Sequence, residues 1–480
     1  MERLYNGNNK IALRINTMSD SAMNTNRETK IIIKPYLWML FLISFAVFLS
    51  QISSKVGGTP VNIAAAAIIV GYCMFCGEEK IFYVAVFLMS SNRMFTFVGI
   101  SVNLIVIMIF YLREVLFKKV KLKFNFAFLT FVLLAYSLLD IWAYDDTNGI
   151  MTIIKTFIIL MFCIYVFIEN KDIYKPHVVI YATFFMCLGL IINATISIAI
   201  SPDSIMAGYK FSMSDNSNRN ALAIICVSAL SNLVILWKNK YVQLDRYWPV
   251  MALLITIVGI FTQSRTFMLG LGIVIIWLLV PSKGMNINKN IKYYLMLVFF
   301  ILLGYFIITS SDIISNIFNN AWNRIVAPKN DDILNGRATN WNNYMAVLRE
   351  NNYVLLFGAG TYTNVGLSAM AHNMWLEILV SYGVVGTIII VLYYFTAIRI
   401  LVSKIKTKFS FSGFYNFLPF IMVFACGWTS HTFMSINNTL QIFLSITLLY
   451  LTPNENIEKQ YYKLKDFSQP PPTEDSNLQI

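Results

Sequence analysis

The chain has 480 residues, of which 57% are hydrophobic and only 13% charged, and its formal net charge is +13. With a mean hydropathy of +0.63, this composition excludes a soluble globular protein and points to an integral membrane protein. The six cysteines all fall within apolar segments and imply no disulfide framework.

Residues 1–35 are polar and mixed in charge. They run into the first apolar stretch with no small-residue cleavage site, so they read as a cytoplasmic tail and not as a signal peptide. From there, runs long enough to cross a bilayer recur, each needing about 20 residues at about 1.5 Å rise. The expected spans are 36–53, 61–76, 80–91, 95–112, 124–142, 150–168, 178–200, 221–237, 248–263, 266–280, 291–309, 374–398, 414–430 and 437–452. The third is short, which gives about 12–14 crossings. "CMFC" (73–76) has CxxC spacing, but redox or metal chemistry needs polar surroundings and further ligands. Cys73 and Cys76 therefore read as apolar filler, as do Cys163, Cys187, Cys226 and Cys426.

The connecting loops alternate in charge. "REVLFKKVKLK" (113–123), "KNKYVQLDR" (238–246), "KGMNINKNIK" (283–292) and "RILVSKIKTK" (399–408) are Lys-rich and hence cytoplasmic, whereas "AYDDTNG" (143–149) faces out. Both termini come out cytoplasmic. Most of the net charge is then positive-inside bias against anionic lipid, not a nucleic-acid footprint. On the outer side the balance inverts: Lys55, Lys210 and Lys329 face Arg93, Arg219, Arg265, Arg324, Arg337 and Arg349. Arginine presents a planar, permanently charged fork suited to phosphate oxygens, so an outer anion site is expected.

Three outer segments could supply it. "SMSDNSNRNALA" (212–223) precedes an inward-running helix. Arg219 there is a binding candidate with Asn218 and Asn220, unless the stretch is only a cap built on Ser217 or Asn218. "MALLITIVGIFTQSRTFMLGLGIVIIWLL" (251–279) is a helical hairpin with almost no loop, whose "QSR" tip fixes Arg265 at the outer interface; simple snorkelling would place it there as well. Residues 310–372 form one long outer loop. Within it, "SSDIISNIFNNAWNRIVAP" (310–328) aligns Ile314, Phe318 and Ile325. "GRATNWNNYMAVLREN" (336–351) aligns Trp341, Tyr344, Met345 and Leu348. Both read as amphipathic helices lying on the membrane, apolar side down. Arg337 begins the second, where free N–H groups and the helix dipole already favour an anion.

Three histidines remain. His177 follows Pro176 on the cytoplasmic side and reads as interfacial. His431 in "GWTSHTFMSINN" is at the outer face. His372 opens "AHNMWLEILVSYGVVG" (371–386) on the same side as Arg265 and Arg337, and a neutral imidazole there suits proton abstraction from a hydroxyl. Asn373 could touch substrate beside it. Glu377, five residues on, either orients the histidine or faces a headgroup. No acidic pair stands out at that face to hold a metal, since Asp331 and Asp332 are adjacent loop residues.

"SRTFMLGLG" at a hairpin tip, "GRATNWNNYMAVLRENNYVLLFGAG" in a long outer loop and "AHNMWLEILVSYGVVG" opening the next helix occur in that order. Over about 210–400, this resembles the superfamily of O-antigen ligases and O-antigen (repeat-unit) polymerases, the Wzy-like polysaccharide polymerases among them. The resemblance implies a metal-independent, inverting glycosyltransferase that needs no cofactor and uses an undecaprenyl-diphosphate-linked oligosaccharide. It assigns the donor's diphosphate to Arg265 and Arg337 and acceptor activation to His372. Arg219, Asn373 and Glu377 are substrate-binding candidates read from the residues alone.

The fold expected is thus all-α and polytopic, with one long extracytoplasmic loop bearing short amphipathic helices. A tail at 1–35 precedes a membrane glycosyltransferase domain at 36–452, and "QPPPTEDSNLQI" ends a cytoplasmic tail at 453–480. The expected location is the bacterial inner (plasma) membrane. Repeat-unit polymerisation, with membrane lipid and a chain-length regulator as partners, is favoured over ligation to a lipid core. A flippase or transporter, the third reading, should show interrupted helices or mid-membrane charges in both halves, and neither stands out.

Overall fold

A computed structural model of the chain describes residues 33–56, 58–91, 96–97, 100–118, 124–144, 176–201, 219–238, 248–279, 337–360, 362–404 and 417–427, with scattered positions between 298 and 323. The tails, His431 and the spans expected at 150–168 and 437–452 lie outside the described residues. The span at 291–309 and the loop helix at 310–328 are touched only at those scattered positions.

The protein is an all-α, multi-pass membrane protein with thirteen α-helices among the described residues. These are α1 (Leu37–Val56), α2 (Thr59–Phe75), α3 (Glu78–Phe87), α4 (Val102–Lys118), α5 (Phe124–Tyr144), α6 (Pro176–Ile200), α7 (Arg219–Lys238), α8 (Trp248–Phe261), α9 (Arg265–Leu279), α10 (Arg337–Glu350), α11 (Asn352–Phe357), α12 (Met374–Lys404) and α13 (Leu418–Gly427). Four stretches are long and apolar enough to cross a membrane: Lys34–Ser53, Val178–Ile200, Arg219–Trp237 and Met374–Ile400. Most helices start or stop within a few residues of the expected bounds.

The stretch expected as a span at 95–112 departs from that reading. A two-stranded antiparallel hairpin, β1 (Thr96–Phe97) and β2 (Ile100–Ser101), precedes the helix. Ser101 then caps α4, its Oγ accepting the Leu104 N–H at 3.3 Å, so the helix starts at Val102. Helix α3 is only ten residues long and passes into a 3-10 turn, Leu88–Ser91. A helix end buried in an apolar slab needs internal hydrogen-bond partners. Asn193 on α6 supplies them, donating to Ser90 Oγ (2.8 Å), Ser91 Oγ (3.3 Å) and the Phe87 carbonyl (3.4 Å).

Helix α7 lies in the middle of the bundle, packed against α6, α8, α9 and α13. Its Leu222–Val227 run is wholly buried, as are the small polar residues Ser228, Ser231 and Asn232. One continuous apolar core joins α1–α9, α13 and one face of α12. A second, smaller core is separate. It consists of Tyr344 and Leu348 (α10), Val354 (α11), Ala359, Ala371 and Val380 (α12), with Trp341 packed on it. This corrects the expected orientation of the 337–350 helix. Its apolar face seals against protein: Tyr344 is fully buried, and Trp341 Nε1 donates to the Ala371 carbonyl at 2.8 Å. Only Met345, of the four aligned residues, is exposed.

The span expected as one helix at 374–398 is two. Gly383 sits at φ 61°, ψ −173° and breaks α12 between Met374–Tyr382 and the remainder, Val384–Lys404. Among the described residues this interruption falls beside the loop that follows α11. The carbonyls it frees are met by that loop, with the Ala359 N–H on Val380 O (2.7 Å) and the Gly360 N–H on Ser381 O (3.0 Å). Gly358, at φ +85°, and Gly383 sit so close to the opposite backbones that a Cβ on either would overlap Ser381–Tyr382 or Leu356–Phe357. Only glycine satisfies both the conformation and the approach.

Candidate functional site

All four candidate outer segments that are described begin a helix. Arg219 is the first residue of α7, Arg265 of α9 and Arg337 of α10, while His372 and Asn373 immediately precede α12. Each helix start contributes free N–H groups and a positive dipole end.

The hairpin tip between α8 and α9 is tightly made. Thr262, Gln263 and Ser264 are all buried. Thr262 Oγ1 donates to the Gly259 carbonyl at 2.6 Å and accepts the Ser264 N–H at 3.3 Å. Gln263 takes φ 49° to close the turn, and the Ser264 carbonyl accepts the Phe267 and Met268 N–H groups to open α9. Ser264 Oγ donates to Asn220 Oδ1 at 2.9 Å. That bond joins the tip carrying Arg265 to the helix start carrying Arg219, so the two arginines sit on one locked platform. Asn220, read from sequence as a sugar contact, spends its carbonyl oxygen on this link.

Arg337 and His372 stand on the second core. The segment before α12 is stitched to α10 by Trp341 on Ala371 O and by Asn340 Nδ2 on Met370 O at 3.5 Å. Asn373 caps α12: its Oδ1 accepts the Trp375 N–H at 3.0 Å and the Leu376 N–H at 3.4 Å, and the residue is 3% exposed. The expected substrate-contact residue is thus engaged in its own helix. Glu377 Oε1 accepts the backbone N–H of His372 at 3.0 Å. It orients the turn and not the imidazole ring directly. His372 takes φ 53°, a left-handed conformation that is uncommon for a residue with a Cβ. The Glu377 bond and the Asn373 cap on either side hold it there.

The electrostatics tie the two platforms together. The His372 imidazole is held below its ordinary value by burial first, then by the positive charges of Arg337 and Arg219. A depressed value keeps the ring neutral, the form that accepts a proton. The positive charges of Arg337 and Arg219 thus both bear on His372. Arg265 joins the group through the Ser264–Asn220 bond. Of the other candidates, His177 is at the start of α6.

Sequence reasoning missed three supports: Ser264, Trp341 and Tyr136. Ser264 and Trp341 lie within three or four residues of the arginines they help place. Tyr136 is 246 residues from the Tyr382 carbonyl it reaches, and no local pattern announces that.

Residues 250–391 match the family model described as O-antigen ligase. The match takes in Arg265, Arg337, His372, Asn373 and Glu377 and stops short of Arg219. No curated protein matches the chain, and no solved structure does.

Proposed function

We propose that this protein, whose residues 250–391 match the O-antigen ligase family model, polymerises polyprenyl-diphosphate-linked oligosaccharide repeat units at the outer face of the bacterial plasma membrane. The observation that carries the reading is that Arg219, Arg265 and Arg337 each open a helix, with the Ser264–Asn220 bond joining the first two and the charges of Arg337 and Arg219 both bearing on His372.

The chemistry follows from the arrangement. The acceptor hydroxyl oxygen attacks the donor's anomeric carbon, and a new C–O bond forms as the bond from that carbon to the diphosphate oxygen breaks. The electron pair leaves with polyprenyl diphosphate, and the hydroxyl proton passes to His372. Arg265 and Arg337 hold the diphosphate as bidentate forks, and the helix dipoles behind them add fixed positive potential where negative charge develops. A base and a leaving group on opposite sides of the ring give inversion at the anomeric carbon. The same anion acts back on the base. Once the diphosphate neutralises the arginines, the cationic field on His372 weakens and the imidazole becomes a better proton acceptor.

Deleting the gene distinguishes polymerase from ligase. The proposal expects surface glycan that keeps a single repeat and loses its length ladder. Loss of all attached glycan, with lipid-linked polymer accumulating, would overturn it in favour of ligation. In either case His372→Ala is expected to abolish transfer, and Arg265→Ala and Arg337→Ala to lower it about 100- to 1,000-fold, while the folded protein is retained; full activity in one removes that residue from the site.

A further inference from the structure

We propose that Tyr136, on α5, is a positioning residue that sets the angle of the His372-bearing half of α12; this rests on His372 being the base. Two backbone segments meet at the break in α12, and the Tyr136 hydroxyl lies between them. It donates to the Tyr382 carbonyl at 2.8 Å and is also within hydrogen-bonding contact of the Phe357 carbonyl. Tyr382 ends the first half-helix, and Phe357 ends α11 on the loop that crosses it. The two carbonyls just before Tyr382 are taken by the N–H groups of Ala359 and Gly360. Tyr136 thus provides a side-chain bond across the hinge. One turn further along, Gly386 lies so close that a Cβ there would stand 3.0 Å from the Tyr136 ring. The second half of α12 is therefore seated on the same side chain. The second half also returns a bond to the hinge, Thr387 Oγ1 donating to Gly383 O at 2.6 Å.

The geometry makes this contact consequential at a distance. From Gly383 to His372 is about 11 residues, a lever of about 16 Å at the helical rise. A swing of about 5° at the hinge then moves His372 by about 1.4 Å, and misplacement of about 1 Å costs roughly a hundredfold in rate. The swing carries Asn373 and Glu377 with His372, because their bonds are internal to that half-helix. Arg219 and Arg265 do not move with it, being locked to each other on the bundle. The packing of Met374 and Ile378 on the bundle core and of Trp375 on Phe424 limits the swing without fixing its centre.

The test is Tyr136→Phe, which removes only the hydroxyl, in purified protein elongating a lipid-diphosphate oligosaccharide. The expected result is a kcat lowered about tenfold or more, with KM for the donor and binding of polyprenyl diphosphate unchanged. A rise in KM with kcat intact would overturn the proposal. Wild-type kcat in Tyr136→Phe, with His372→Ala inactive, would overturn the positioning role alone. Full activity of His372→Ala would instead overturn the reading of the base on which it rests.

Discussion

Asn373 offers a separation of roles that can be worked from two bond lengths. Its Oδ1 accepts the Trp375 and Leu376 N–H groups at 3.0 and 3.4 Å in a buried setting. Asn373→Ala removes that cap at a cost of about 1 kcal/mol, so amide exchange over the first turn of α12 should quicken about fivefold. Asn373→Asp keeps the acceptor and adds a negative charge that the helix start favours, so protection there should stay at the wild-type level. The same carboxylate, however, enters the field of Arg219 and Arg337 and opposes an arriving diphosphate. At about 8 Å and an effective dielectric of about 20, one charge pair costs about 2 kcal/mol, or roughly thirtyfold in kcat/KM. Hydrogen exchange by mass spectrometry on the 373–382 region, with initial rates on a lipid-diphosphate donor, reads both effects. Wild-type turnover in Asn373→Asp would refute an anion site at this helix start, and unchanged exchange in Asn373→Ala would refute the cap.

Other substitutions probe the remaining parts. Arg265→Lys and Arg337→Lys retain charge but lose the planar fork, and kcat/KM should fall about 10- to 100-fold, against about 100- to 1,000-fold for Ala; equal activity of Lys and Arg would refute bidentate binding. Arg219→Gln removes a cation that disfavours the imidazolium, so the His372 value rises and the acid limb of kcat/KM moves to higher pH. Arg337→Gln should move the limb further, since its charge acts on His372 more strongly than that of Arg219. A limb that stays in place in both would detach His372 from the arginines. Gly383→Ala forces a Cβ into a glycine-only conformation and against the Leu356 backbone, which should cost at least about 2 kcal/mol. Thermal unfolding in detergent at the wild-type midpoint would contradict the break in α12.

Much of the architecture was legible because a bilayer imposes length and apolarity on each span, and α1, α6, α7 and α9 fall within a few residues of their expected bounds. Arg265 at a tip, Arg337 at a helix start and His372 just ahead of a helix were readable for the same local reason: each sits beside a change in polarity. The break at Gly383 was not, because "SYGVVG" reads as an uninterrupted apolar run, and the segment that requires the break, Phe357–Gly360, pairs with it through backbone alone. The face of 337–350 was identified correctly but assigned the wrong neighbour. Periodicity marks Tyr344 and Leu348 as buried, and it is the same whether lipid or protein covers them. Asn373 and Glu377 were recognised as neighbours of His372, yet their bonds go to backbone N–H groups, which a sequence does not display.

The most direct test uses the purified protein in a lipid bilayer with a single defined repeat unit on polyprenyl diphosphate, products resolved by mass spectrometry. The account predicts a ladder of lipid-linked oligomers rising by one repeat, one polyprenyl diphosphate released per bond formed, and no ladder with His372→Ala. A glycan that passes only to an added lipid-core acceptor, with no elongation of the lipid-linked unit itself, would contradict it.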